Sequence, residues 1–167
     1  PHLIKIELLP VCNKLDIRYC VNLKTISDLR SCIGVKITNC PKIEILDNLI
    51  MCKSLLVKNC YKLQKISCLP HCTHIAIATC LSLEYLPITP GCCELRLYNC
   101  TSLQEIPYLP LCNTLVINRC ENMKYLPEGK SMFLTKSTKR KGLVKVELDF
   151  YWIRNNTGMY ERLMGRR

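Results

Sequence analysis

At 167 residues, 49% of them apolar, the chain can bury one globular or repeat core and is too short for two large domains. No apolar run approaches the roughly 20 residues of a membrane-spanning helix, and no basic cap followed by an apolar core marks a secretory signal. The formal charge of +11 is uneven: residues 1–126 carry +5 and residues 127–167 carry +6, so an acidic partner, nucleic acid or an anionic surface comes into question first for the tail.

Taken in order, the first six residues, Pro1 to Ile6, match the last six of a unit that recurs every 20 residues; Leu3 aligns with Leu23 and Ile6 with Ile26. The start therefore reads as a fragment, or a processed product, cut inside a longer solenoid. Six full repeats follow at 7–26, 27–46, 47–66, 67–86, 87–106 and 107–126. A fixed short period with an L-x-I core marks a solenoid, in which no unit can bury its apolar face alone and neighbours must stack. Within each repeat Leu15, Val35, Leu55, Ile75, Leu95 and Leu115 alternate with Ile17, Ile37, Val57, Ile77, Leu97 and Ile117 two places on. Period two with β-branched residues predicts a strand with one buried face. The predicted strands pair in parallel, and Pro70, Pro90, Pro110, Pro87 and Pro107 fall in the return segment, where they forbid a long helix. The return is thus expected to be irregular or short 3₁₀.

Twelve of the 14 cysteines fall at two repeat positions, one running from Cys12 to Cys112 and the other comprising Cys20, Cys40, Cys60, Cys80, Cys100 and Cys120. Both positions have the character of buried sites, where a free thiol packs like a small hydrophobe. In an in-register ladder the Cβ atoms stay near 4.8 Å apart, whereas disulfides average about 3.8 Å. Reduced ladder thiols in a cytoplasmic compartment are expected, with Cys68 and Cys93, which lie off the ladders, open to modification.

The run L-P-x-L-P-x-C-x-x-L-x-I-x-x-C-x-x-L-x-x-I-P, as at residues 107–126, resembles the shortest class of leucine-rich repeats. That class occurs in secreted effectors of Gram-negative pathogens and in repeat proteins of giant DNA viruses of amoebae. The cysteine-rich variant, Leu97-Tyr98-Asn99-Cys100-Thr101-Ser102-Leu103, looks closer to the viral proteins. The resemblance covers residues 1–126 and implies a right-handed, strand-dominated solenoid of α/β type, in the host cytoplasm. It also implies that the Cys20-to-Cys120 series is a ladder hydrogen-bonding the backbone bend, softer than an Asn ladder because a thiol is a weak donor.

After Leu126 the period fails. Residues 127–142 form a basic linker ending in Lys136-Ser137-Thr138-Lys139-Arg140-Lys141, read as a solvated loop; it leaves nucleic acid open but lacks the interleaved aromatics of a stacking site. Residues 143–167 are expected to cap the solenoid: Val144 to Trp152 alternates as a strand, Asn155 to Gly158 is a turn, and Met159 to Met164 suits one or two helical turns.

Chemistry-bearing motifs are sparse. Cys68, His71, Cys72 and His74 offer zinc-type ligands within seven residues, but Cys72 belongs to a ladder, so ordinary surface histidines beside a core cysteine are the preferred reading. No motif places an acid beside a histidine and a nucleophile, and there is no Gly-rich phosphate loop. Related effectors can carry a separate ubiquitin-ligase domain with a reactive cysteine, and the residues after Leu126 contain none. Neither catalysis nor a metal, cofactor or small-molecule substrate is expected.

What remains is the face of the sheet opposite the core. It presents Lys14, Asp16, Arg18, Lys36, Lys58, Glu94, Arg96 and Tyr98, with Tyr19 and Arg119 near the strand ends and a bland middle of Leu56, Ala76, Ala78 and Val116. A basic, partly apolar strip fits a protein with an acidic surface. Lys14, Arg18, Tyr19, Lys36, Lys58, Arg96, Tyr98 and Arg119 are therefore the candidate partner-binding residues. The alternative is a structural component of a larger, possibly viral, assembly with no discrete ligand.

Overall fold

The computed structural model describes residues 3–7 and 11–123, and the backbone of three later strands. Five-residue strands recur at β2 (Lys14–Arg18), β4 (Gly34–Thr38), β6 (Ser54–Lys58), β8 (His74–Ala78), β9 (Glu94–Tyr98) and β10 (Thr114–Asn118). They form one parallel six-stranded sheet in which each residue pairs with the residue 20 positions away, Leu55 with Ile75 and Val57 with Ile77 among them. The alternation of apolar and polar residues fixes this register, because a slip of one residue would turn every core side chain outward.

The return segments are more ordered than the prolines suggested. Two-residue strands β1 (Lys5–Ile6), β3 (Thr25–Ile26), β5 (Ile45–Leu46) and β7 (Lys65–Ile66) build a second, narrow parallel sheet. No helix, α or 3₁₀, occurs among the described residues. The return is otherwise irregular, as expected, but a ribbon of two-residue strands in place of 3₁₀ runs through it, and β3, β5 and β7 each expose one residue and bury the next, as Thr25 and Ile26 do. Backbone donors explain where the ribbon thins. Ser27 N–H donates to Ile6 O (2.9 Å) and Ser67 N–H to Leu46 O (2.8 Å). Pro87 and Pro107 hold the same repeat position and have no N–H to give. Beyond β7, the described residues keep only a single bridge, Tyr85 to Glu105, between repeats 67–86 and 87–106.

The core is one continuous cluster fed by both sheets: Val35, Ile37, Leu55, Val57, Ile75 and Ile77 from the wide one, Ile26, Leu46 and Ile66 from the narrow one, and Leu23, Ile43, Leu63, Leu83 and Leu103 from the bends. Fully burying each such side chain contributes about 1.5–3 kcal/mol. Thr89, also buried, stands where the other repeats have Leu29, Leu49, Leu69 and Leu109. The first repeat is less well covered, with Cys12, Leu15 and Cys20 only half-buried.

Two tight turns frame each wide strand. Before it, Cys32 N–H reaches Leu29 O (3.1 Å), a bond repeated at Cys52, Cys72, Cys92 and Cys112. After it, Leu23 N–H reaches Cys20 O (3.1 Å), repeated at Ile43, Leu63, Leu83, Leu103 and Met123. The residue just past each strand, Tyr19, Asn39, Asn59, Thr79, Asn99 or Arg119, has φ between 53° and 58°. This left-handed step breaks the strand and throws the chain toward the narrow sheet. Asn tolerates it well; Tyr, Arg and especially β-branched Thr do not.

The tail strands β11 (Phe133–Thr135), β12 (Asp149–Arg154) and β13 (Tyr160–Met164) form an antiparallel sheet in the order β11-β12-β13. The short helix expected at 159–164 is therefore corrected to strand: Tyr160 pairs with Arg154 and Met164 with Phe150. Pairing with a neighbouring strand overrides the helical preference of Glu161, Arg162, Leu163 and Met164. Strand β11 falls within the segment read as a linker. The expected strand from Val144 is represented from Asp149 onward, and 144–148, like the basic run 136–141, lie outside the described residues.

Candidate functional site

Both cysteine series lie at the ends of the wide strands, and their thiols do the same job at each end. In β6, Cys52 Sγ donates to Ser54 O (3.3 Å) and Cys60 Sγ to Lys58 O (3.6 Å). In β8 the bonds run from Cys72 to His74 O (3.4 Å) and from Cys80 to Ala78 O (3.7 Å). In β9 and β10, Cys92, Cys100, Cys112 and Cys120 repeat the arrangement. Cys20 and Cys40 close the far ends of β2 and β4. The far-end carbonyl has a second donor, the N–H of the left-handed residue one repeat earlier, as Asn59 N–H to Ala78 O (2.9 Å). Each bend is thus held by one strong amide bond and one weak thiol bond. Burial pushes the Cys60 and Cys80 thiols up to about 12.

The candidate partner-binding residues do not all share one surface. Lys14, Arg18, Lys36, Lys58, Arg96 and Tyr98 lie on the outer face of the wide sheet, in three columns set by the pairing register. Tyr19 and Arg119, both exposed, lie in a fourth column along the left-handed bends. From the first strand to the last the set spans five strand spacings, about 24 Å.

Electrostatics separates these cations further. Arg18 grips Asp16, two residues back on the same strand, through Nε to Oδ1 (2.7 Å) and Nη2 to Oδ2 (2.5 Å). This guanidinium holds the Asp16 carboxyl below the usual carboxylate range, with a smaller share from Lys36 Nζ at 3.9 Å. Arg96 is likewise paired with Glu94. Lys14 and Lys58 make no ion pair among the described residues. The i, i+2 spacing puts each acid and its arginine on the same side of their strand, but counting charges alone does not reveal the pairs.

His74, at the start of β8, is exposed and its Nδ1 lies 2.8 Å from Thr73 Oγ1. Cys72 beneath it is buried and engaged with a carbonyl. Among the described residues no three His, Cys, Asp or Glu side chains gather in an arrangement that would hold a metal ion. No helix among them is long and apolar enough to cross a membrane. No protein-family model, curated protein or solved structure matches the chain.

Proposed function

We propose that the chain is a non-catalytic protein-interaction module, a right-handed leucine-rich repeat solenoid of the short cysteine-rich kind, which binds an acidic protein through the outer face of its six-stranded sheet. One observation carries this reading. The three outward columns hold five Lys and Arg side chains against two acids, and both acids are already occupied by an arginine of their own strand. Lys14 and Lys58 are left as exposed, uncompensated charges, and Lys58 stands beside the apolar surface that begins at Leu56 and Ala76. Such a face steers an acidic partner and offers it a dry centre. The burial of ten of the 14 thiols supports a reducing compartment, the cytoplasm of a host cell where the source is viral or an effector.

The test is affinity capture from lysate of the native host, with the variant Lys14→Glu/Lys36→Glu/Lys58→Glu beside Lys24→Glu/Lys65→Glu as a control on the narrow-sheet side. A partner lost with the first variant and kept with the second is expected. A partner retained by the first variant would place the site elsewhere.

The second reading, a structural component that stacks in an assembly, rests on the architecture itself, in which one continuous core is shared by turns that cover one another. Mass that grows with concentration in light scattering, unchanged by the strand-face variant, would favour it.

A further inference from the structure

Register sets the relief of the outer face. Three consecutive strands align Leu56, Ala76 and Arg96 in one row and Lys58, Ala78 and Tyr98 in the next. Strands lie about 4.8 Å apart, so β6 and β9 stand about 9.6 Å apart, and in these two rows only alanine methyls rise between them. The result is a notch one strand wide over Ala76 and Ala78, with the exposed His74 standing on the same face at the start of β8.

Its two walls differ. On β9, Arg96 is paired with the Glu94 carboxylate, so the positive charge of this wall is already answered. On β6, Leu56 is half-buried and apolar, while the Lys58 ammonium stands exposed at the rim with no ion pair among the described residues. A carboxylate pushed down onto the alanine methyls would lose water and meet no donor, which is strongly unfavourable. A carboxylate at the rim meets Lys58. An aliphatic side chain at the floor meets apolar groups from below and from the β6 wall.

We infer that the Ala76–Ala78 notch is a specificity pocket, which takes one aliphatic side chain from an extended acidic segment of the partner while a neighbouring carboxylate of that segment pairs with Lys58. This deepens the strand-face reading and rests on it. The charged columns attract acidic segments in general; the notch selects among them by asking for an apolar residue in the midst of the acids.

The experiment uses the full chain and two fluorescein-labelled peptides rich in Asp and Glu, identical except for a central Leu or a central Gly. Anisotropy titrations should give the Leu peptide about tenfold tighter binding, the worth of a side chain entering an apolar site. Ala78→Leu keeps every charge and fills the notch, so it should erase the Leu advantage and leave the Gly peptide unaffected. Ala76→Leu serves as the second filling variant, with thermal melts as the check on folding. Lys58→Gln should weaken both peptides. Equal affinity for Leu and Gly peptides, lost with Lys14→Glu/Lys36→Glu/Lys58→Glu, would remove the notch and leave the strand face standing. Binding indifferent to all these variants, or no binding of either peptide, would remove both. An oligothymidylate of matched charge that outcompetes the Leu peptide, and that Ala78→Leu weakens, would make the notch a base-stacking site and overturn the proposal.

Discussion

Asn59 donates its side-chain amide to Asn39 Oδ1, 2.7 Å away and one repeat earlier, and both residues sit in the left-handed region with φ of 56° and 57°. Asparagine there relieves the backbone and links one bend to the next. The next position in the column is Thr79, whose β-branched side chain is poorly suited to its φ of 55°. Thr79→Asn should therefore raise stability by about 0.5–1 kcal/mol and join the Asn39–Asn59 pair toward Asn99. The midpoint of urea unfolding measures this; a lowered midpoint would show that the threonine is satisfied in some other way.

Ile77 is fully buried at the centre of the wide sheet. Ile77→Asp places an unpaired carboxylate among Val57, Leu97 and Cys80 and should cost more than about 4 kcal/mol, carrying the flanking repeats with it because each depends on its neighbours. A soluble variant with an unchanged melting curve would contradict the packing described above.

The thiols give the molecule an alkaline limit. Cys60 and Cys80 hold their protons to about pH 12 in the folded state, whereas an unfolded cysteine releases its proton near pH 8.5. Their contribution to stability is complete below the unfolded value and is lost as pH rises from there toward the folded one. Each such thiol should lower stability by about 1.4 kcal/mol per pH unit in that window. Denaturant midpoints taken from pH 7 to pH 10.5 should be flat at first and then fall. A midpoint that stays constant across the whole range would mean that these groups are not buried as neutral thiols.

Access divides the cysteines into three groups. Cys68 is exposed; Cys12, Cys20 and Cys93 are half-buried; the other ten are buried. Alkylation followed by intact mass should add one label quickly, up to three more slowly, and the rest only in denaturant, without any reductant. The half-burial of Cys12 and Cys20 adds the first repeat to the two off-ladder sites expected from sequence. Thiols that stay blocked in denaturant until a reductant is added would show disulfides, and with them an oxidising compartment.

The wide sheet was legible because it leaves a long trace. Leu15 and Ile17, shifted five times by 20 residues, land each time on an aliphatic residue. The narrow sheet left almost none. Thr25–Ile26 and Lys65–Ile66 are two residues long, too short for an alternation to register, and their ladder forms only once the wide strands have aligned the repeats. The left-handed column was half visible, in Asn39, Asn59 and Asn99, and hidden at Tyr19, Thr79 and Arg119, whose side chains give no hint of the conformation. On the outer face, the charged residues were read correctly as facing outward, but their pairing was not: Arg18 and Arg96 are committed to Asp16 and Glu94. The tail misled because Glu161 to Met164 are good helix formers, and local preference yields where a strand such as β12 lies alongside.

The uniform offset of 20 residues in both sheets also determines how the molecule should respond to force. Tension applied through the two ends of the array acts across the hydrogen bonds between neighbouring turns, which can break turn by turn. Each rupture frees a 20-residue loop, about 65 Å of slack once the height of one turn is subtracted. A chain stretched in this way would lengthen in even steps, behaving less like a brittle globule than like a shock absorber.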